Sequence, residues 1–275
     1  MYSVAILTKD EAINIADCIA SVPSDDIVVL DSHSTDATRS IATAAGARVF
    51  ERKFDNYAGQ RNAALSLPFR YPWVLMLDAD ERMTPQLNAE IVSKLNTVVP
   101  SIGLFRMRRK DMFLDRWLRR SSGYPTWFAR LMRVGSVQVT REINEEFFTP
   151  LLVAELQHHI IHFPFNRGLA YWFERHNHYS TMEADVLALE RRRPIVWRNL
   201  FASDPLARRK AAKQLVYRMP ARPLLIFLYL YIARRGFLDG KPGLLFCRMR
   251  SVYEEMINIK AASGSVLAKD RKSLR

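Results

Sequence analysis

The chain has 275 residues, 49% of them hydrophobic and 25% charged, which suits a globular protein and excludes a disordered one. Its net charge of +13 is confined to the C-terminal third: residues 191–275 carry 20 Lys/Arg against 5 Asp/Glu, whereas residues 1–190 carry 21 against 23. Two cysteines, Cys18 and Cys247, are too few for a disulfide framework, and the longest apolar run, Leu224 to Ala233, covers about half of a membrane span.

In chain order, strand-like runs at Ser3–Leu7, Ile27–Leu30, Ala47–Phe50, Trp73–Leu77 and Gly103–Met107 alternate with helix-like stretches. The helical stretches are Glu11–Ser21, Thr35–Ala45, Tyr57–Leu65 and Pro85–Leu95. Short connections between them predict βαβ units and a parallel sheet. Ser34-Thr35-Asp36 marks the start of the second helix, and Thr84-Pro85 places Pro at a first helical position. The pattern is irregular from about 111 to 165. Helices follow over 169–190, Pro205–Tyr217, Leu224–Arg235 and Leu244–Lys260, the last two separated by a Gly-rich turn. The N-terminal run Tyr2–Leu7 lacks the basic region and cleavage site of a signal peptide, so a cytoplasmic location is expected.

The most informative segment is Trp73-Val74-Leu75-Met76-Leu77-Asp78-Ala79-Asp80-Glu81. Five apolar residues in a row read as a strand buried on both faces, which delivers two carboxylates to its carboxyl end. Ligands of open α/β sheets bind at that edge. Two desolvated acids placed two residues apart call for a cation, and a divalent ion shared with substrate phosphates answers the need. Asp31 ends the second strand in the same way, as a ligand for a base or ribose or as a helix-capping acid. No GxGxxG or GxxxxGK[ST] occurs, which argues against a Rossmann dehydrogenase and excludes a P-loop.

These segments, taken in order, resemble a known family. Thr8-Lys9-Asp10-Glu11, Val28 to Ser32 with Ser34-Thr35-Asp36, Ala58-Gly59-Gln60-Arg61-Asn62, and Asp78-Ala79-Asp80-Glu81 are similar to the family 2 glycosyltransferases of GT-A fold. The branch in view contains bacterial lipopolysaccharide-core β-glucosyltransferases and related cell-surface polysaccharide enzymes. The resemblance implies a GT-A α/β fold: a mostly parallel nucleotide-binding sheet flanked by helices over residues 1–165, then a basic amphipathic helical region over 166–275. It implies a UDP-sugar donor, with Thr8 and Glu11 near the nucleotide, Asp31 on uracil, and Arg61 and Asp78 at the diphosphate. Asp80 would hold Mg²⁺ or Mn²⁺, with His162 as a late histidine on the metal or diphosphate. The family's general base maps onto Arg141-Glu142-Ile143-Asn144-Glu145-Glu146, with Glu145 first and Glu146 second, although Asn144 stands where a His is usual. Gly123 resembles the glycine loop near the donor, and Trp127 and Arg130 are candidates for the acceptor side.

Within Gln157-His158-His159-Ile160-Ile161-His162 a strand reading sets His158 and His162 on one face, too far apart to share an ion. In the C-terminal third, Arg208-Arg209-Lys210, Lys213, Arg218 and Arg222 precede the apolar run and Arg234-Arg235 follow it. Cations that bracket a short apolar helix predict an interfacial segment on an anionic membrane surface, and no nucleic-acid reading module is recognisable. The expectation is therefore an inverting, metal-dependent transfer of a hexose, glucose first, from a UDP-sugar to a lipid-linked or lipopolysaccharide acceptor. It would take place at the inner face of the membrane, by a peripherally bound protein. The alternatives are transfer to polyprenyl-linked exopolysaccharide or O-antigen intermediates, nucleotidyl transfer, or a non-catalytic membrane-binding module.

Overall fold

A computed structural model describes residues 1–140, 146–194, 196–219 and 221–273. The chain forms two compact units, residues 1–117 with 124–166, and residues 118–123 with 167–275.

The first unit begins with β1 (Ser3–Thr8), α1 (Ile15–Ala20), β2 (Ile27–Asp31), α2 (Thr38–Ala44), β3 (Arg48–Glu51), α3 (Tyr57–Leu65) and β4 (Trp73–Asp78). Then come β5 (Glu81–Arg82), α4 (Pro85–Asn96), β6 (Ile102–Phe113), β7 (Arg116–Trp117), β8 (Trp127–Arg133), β9 (Gln138–Thr140), β10 (Glu146–Phe148) and β11 (Leu152–His162). The main sheet runs β3-β2-β1-β4-β8-β6-β11-β5, with β7 on β6, while β9 and β10 pair separately. β3, β2, β1 and β4 are mutually parallel, β8 is antiparallel to both its neighbours, and β11 is parallel to β6. This is a mixed α/β fold with a mostly parallel central sheet flanked by helices, the architecture that the resemblance implied.

The buried strand pattern has a direct cause. On β4, Trp73, Leu75 and Leu77 pack with Ile15 and Cys18 of α1 and Leu87 and Ile91 of α4, while Val74 and Met76 face Ala64 of α3. Both faces are covered, so no polar residue is tolerated until the strand ends. Each of these fully buried side chains contributes roughly 1.5–3 kcal/mol. Register then lines up the strand ends: Thr8 lies beside Asp31, and Leu7 beside Asp78.

The N-termini of two helices follow their sequence signals. Asn56 accepts a hydrogen bond from Gly59 N at 2.7 Å, and Thr84 accepts from Leu87 N at 3.2 Å, with Pro85 at the first helical position. α2 starts later than expected, at Thr38, because the polar residues before it serve another purpose. Ser34 Oγ accepts from Asp10 N (2.8 Å), Asp10 Oδ1 accepts from Thr35 N (2.7 Å), and Thr38 Oγ1 accepts from Glu11 N (2.8 Å). The loops after β1 and β2 are stitched together by side chains that would otherwise cap a helix.

The second unit consists of α5 (Gly168–Arg192), α6 (Pro205–Val216), α7 (Arg222–Leu228) and α8 (Gly240–Ser273). The helix expected over Leu224–Arg235 changes to a π-helical turn at Tyr229–Ala233, and a 3₁₀ turn covers Gly236–Asp239. Lys260 of α8 reaches across to α5, donating to Asn177 Oδ1 (2.7 Å), Ser180 Oγ (2.8 Å) and Thr181 Oγ1 (2.8 Å). The His176 ring stacks on Trp172 with centroids 3.5 Å apart. Asp239 accepts from the backbone of Arg120 and Ser121, which anchors residues 118–123 to this unit. Cys18 is buried in the first unit and Cys247 in the second, both as free thiols. Among the described residues no helix is long and apolar enough to cross a membrane.

Candidate functional site

The carboxyl ends of β1 and β2 bring Thr8 and Asp31 together. Asp31 is fully buried; its Oδ2 accepts from Thr8 Oγ1 (2.8 Å) and Ser34 Oγ, and its Oδ1 from Ser34 N (2.7 Å). A carboxylate offers about four lone-pair sites, so at most one is left for a base. In this structure Asp31 is first the anchor of the loop that follows β2. Glu11 accepts from Asn14 Nδ2 at 2.8 Å and lies beside the same pair of loops.

One strand further along, Asp78 is the centre of an ionic lattice. Arg61 from α3 reaches it at 3.2 Å, and Arg130 from β8 at 2.7 Å. The same Arg130 nitrogen bonds Glu81 Oε1 at 2.7 Å, and Glu81 Oε2 accepts from the backbone N–H of Asp78 at 3.1 Å. Arg109 of β6 lies 3.6 Å from Glu81 and 3.1 Å from Asp111. Asp111 takes Nδ1 of His162 at 2.7 Å, and Nε2 of His162 lies 3.3 Å from Asp80. Burial alone would raise the Asp78 carboxyl, but the guanidiniums of Arg130, Arg61 and Arg109 hold it well below the usual carboxylate range. Burial likewise disfavours the His162 cation. The carboxylate of Asp80 and the hydrogen bond to Asp111 outweigh it, raising His162 to about 9.

Local backbone features explain the convergence. Between β6 and β8, Phe105 opposes Leu131 but Arg106 opposes Ala129, so Arg130 is the extra residue of a bulge and its side chain is re-aimed toward Asp78. A second irregularity in β11 interrupts its pairing between Glu155 and His159. There Glu90 of α4 accepts from the backbone N–H groups of Gln157 (2.7 Å) and His158 (2.8 Å). His158 is consequently exposed, whereas His162 is buried, and register sets His162 beside Glu81 on one side and Asp111 on the other.

Beside Asp78 opens a cavity of about 600 Å³ whose wall includes Arg61, Arg106, Arg109, Trp127 and Arg130. Phe128 lies between two of these cations, with the guanidinium of Arg109 4.2 Å and that of Arg130 5.7 Å from its ring centroid. Trp127 and Arg130, candidates for the acceptor side, both belong to this wall. Phe147 of β10 lines it too. Alternation along β10 turns the adjacent, exposed Glu146 to the other face, which argues against Glu146 as the base. Glu145 lies outside the described residues. Gly123 adopts φ +86° with open space around it.

The residues that could hold a divalent ion are Asp80 and His162. Their polar atoms are 3.3 Å apart and the other imidazole nitrogen is held by a carboxylate, the usual support of a metal-ligating histidine. Asp78 is committed to two guanidiniums instead. Among the described residues no three His, Cys, Asp or Glu side chains gather into a complete metal site, so phosphate oxygens would have to complete the coordination.

Sequence reading quoted Glu81 in the acidic motif without giving it a role, and passed over Arg109 and Asp111. The signal was the run Arg106-Met107-Arg108-Arg109-Lys110-Asp111, which is too polar to be read as strand, yet β6 continues to Phe113.

Residues 3–139 match the family model described as Glycosyl transferase family 2. An uncharacterized glycosyltransferase of Rickettsia felis is 43% identical over 91 residues, 32% of this chain and 32% of that protein. One of Rickettsia conorii is 42% identical over the same length and shares. The chain thus spans about a third of the length of the curated relatives it matches. Among solved structures, a glucosyl-3-phosphoglycerate synthase of Mycobacterium tuberculosis, in complex with Mn²⁺, UDP and glucosyl-3-phosphoglycerate, is 24% identical. The overlap covers 40% of this chain and 44% of that one with a TM-score of 0.34, too partial to carry its ligands over.

Proposed function

We propose that this chain, built on a glycosyl transferase family 2 domain over residues 3–139, is an inverting, metal-dependent hexosyltransferase. The donor would be a UDP-sugar, UDP-glucose first, and the acceptor a lipid-linked glycan such as lipopolysaccharide core. The observation that carries this reading is the convergence of Asp78, Asp80 and His162 at one sheet edge beside an arginine-walled cavity.

In the reaction an acceptor hydroxyl attacks the anomeric carbon, the bond to the diphosphate oxygen breaks, and UDP departs with the electron pair. The acceptor's proton goes to a base, for which the family resemblance points to Glu145. Arg61 and Arg130 fix Asp78 and set positive charge beside the departing diphosphate, where charge develops in the transition state. Asp111 holds the Nδ1–H of His162 and so presents Nε2 toward Asp80. Asp80 and a His162 deprotonated at Nε2 would hold a divalent ion, which would supply Lewis-acid neutralisation of the leaving group.

The deciding experiment incubates the protein with UDP-sugars, Mn²⁺ and a membrane extract. Acceptor-dependent release of UDP is the expected result, and release of pyrophosphate instead would make the enzyme a nucleotidyltransferase.

We further infer that the second unit rests peripherally on an anionic membrane at its cytoplasmic face. Leu224, Leu228 and Ile232 follow one another at intervals of four and are 55%, 38% and 58% exposed, with Arg234 and Arg235 just beyond. Replacing the three by Gln should abolish flotation with vesicles containing phosphatidylglycerol. Equal binding of the unaltered protein to neutral and anionic vesicles would sink the electrostatic half of this idea.

A further inference from the structure

Among the described residues, the cavity beside Asp78 is lined by four guanidiniums, from Arg61, Arg106, Arg109 and Arg130, and by one carboxylate, Asp78 itself. A donor diphosphate does not account for that excess. Its two negative charges are balanced by the divalent ion, and Arg61 and Arg130 already stand at the Asp78 end. Arg106 and Arg109 come from the same strand, β6, three residues apart, which is about 10 Å at the rise of an extended chain. That span is too long for both to serve one phosphate. Arg106 pairs with Glu155 of β11 and not with the acids around Asp78.

Among the described residues Arg106 pairs with Glu155 at 2.8 Å, and both side chains are nearly half exposed. Surface pairs of this kind contribute little and exchange readily for a better anion. The ring of Trp127, on the same wall, offers a flat apolar face of the kind on which sugar rings stack.

We propose, on the premise that the protein is a sugar transferase, that this cavity seats an acceptor carrying its own anionic group, a phosphate or a carboxylate. Arg106 grips that group while the accepting hydroxyl is directed toward Asp78 and the donor. The acceptor is therefore an acidic or phosphorylated glycan rather than a neutral one.

The test uses the full chain saturated with UDP and Mn²⁺, so that the diphosphate position is filled, and titrates glucose, glucose 6-phosphate and glucuronate by calorimetry. Both anionic sugars should bind and glucose should not; the stronger of the two identifies the group as phosphate or carboxylate. Arg106→Gln, a surface substitution that leaves the fold intact, should weaken the anionic sugar about ten-fold, as expected for one charge-assisted hydrogen bond. Arg106→Glu should abolish that binding, while UDP affinity changes less than three-fold. Loss of sugar-phosphate binding on saturation with UDP, or an equal fall in UDP affinity in Arg106→Glu, would overturn the proposal. Failure of UDP to bind the unaltered protein would instead overturn the transferase reading. Binding of the anionic sugars without UDP then still reports on the cavity by itself.

Discussion

Arg130 is the keystone of the ionic lattice, and replacing it by Met measures what the lattice is worth. Its side chain is 3% exposed and one nitrogen serves Asp78 and Glu81, both at 2.7 Å. In Arg130→Met, Asp78 keeps Arg61 at 3.2 Å and some water, since its side chain is 30% exposed. Glu81, fully buried, is left with Arg109 at 3.6 Å. Removing one partner of a buried pair costs about 3–5 kcal/mol, and with these residual partners the lower end, about 3 kcal/mol, is expected. For a unit of this size that corresponds to a fall in melting temperature of roughly 6–12 °C, read by thermal unfolding at pH 7. The pH dependence has a definite sign. A carboxyl depressed in the folded state stabilises above its unfolded value of 3.8 and loses that contribution as pH falls below it. Part of the depression of Asp78 comes from Arg130, so the gap between the unaltered protein and the variant should narrow below about pH 4. Adding Glu81→Gln to Arg130→Met should recover most of the loss, because the uncompensated buried charge is gone. A loss below about 1 kcal/mol in the single variant, or no recovery in the double, would refute the account of a buried charge in need of its partner.

Asp111→Asn should weaken the Mn²⁺-dependent stabilisation by UDP about 10–100-fold while leaving metal-free UDP binding in place, because it removes the carboxylate that supports His162. An unchanged Mn²⁺ titration would remove His162 from the metal site. In the second unit, burial lowers His176 from 6.5 to about 4, so the folded state favours the neutral ring and stability drains away as pH falls between those values. His176→Gln should flatten the melting-temperature profile over that window; parallel profiles would show that another group controls it.

The four-stranded parallel core was readable because burial on both faces leaves an unbroken apolar record in β1, β2 and β4. The acids at their ends were readable for the same reason, since the polar residue marks the edge. The carboxyl-terminal half of β6 was harder to read. It carries Arg108, Arg109 and Lys110, and such residues belong in a strand only when tertiary partners neutralise them. Those partners come from elsewhere in sequence: Asp111 meets His162 across 51 residues and Arg130 meets Asp78 across 52. The bulge that aims Arg130 has no glycine or proline to announce it. The start of α2 was misjudged because Ser34, Thr35 and Asp36 look like caps, and only the neighbouring loop reveals that they bind Asp10 and its surroundings.

The two buried cysteines give each unit its own clock. Cys18 is packed between α1 and β4 of the first unit and Cys247 lies in α8 of the second; burial pushes both thiols up, Cys247 to about 11. Alkylation requires an exposed thiolate, so neither reacts until the packing around it opens. With one thiol per unit, mass spectrometry of a single labelled sample can time the two openings independently. The same trace would reveal whether nucleotide slows only the first clock and whether lipid slows only the second.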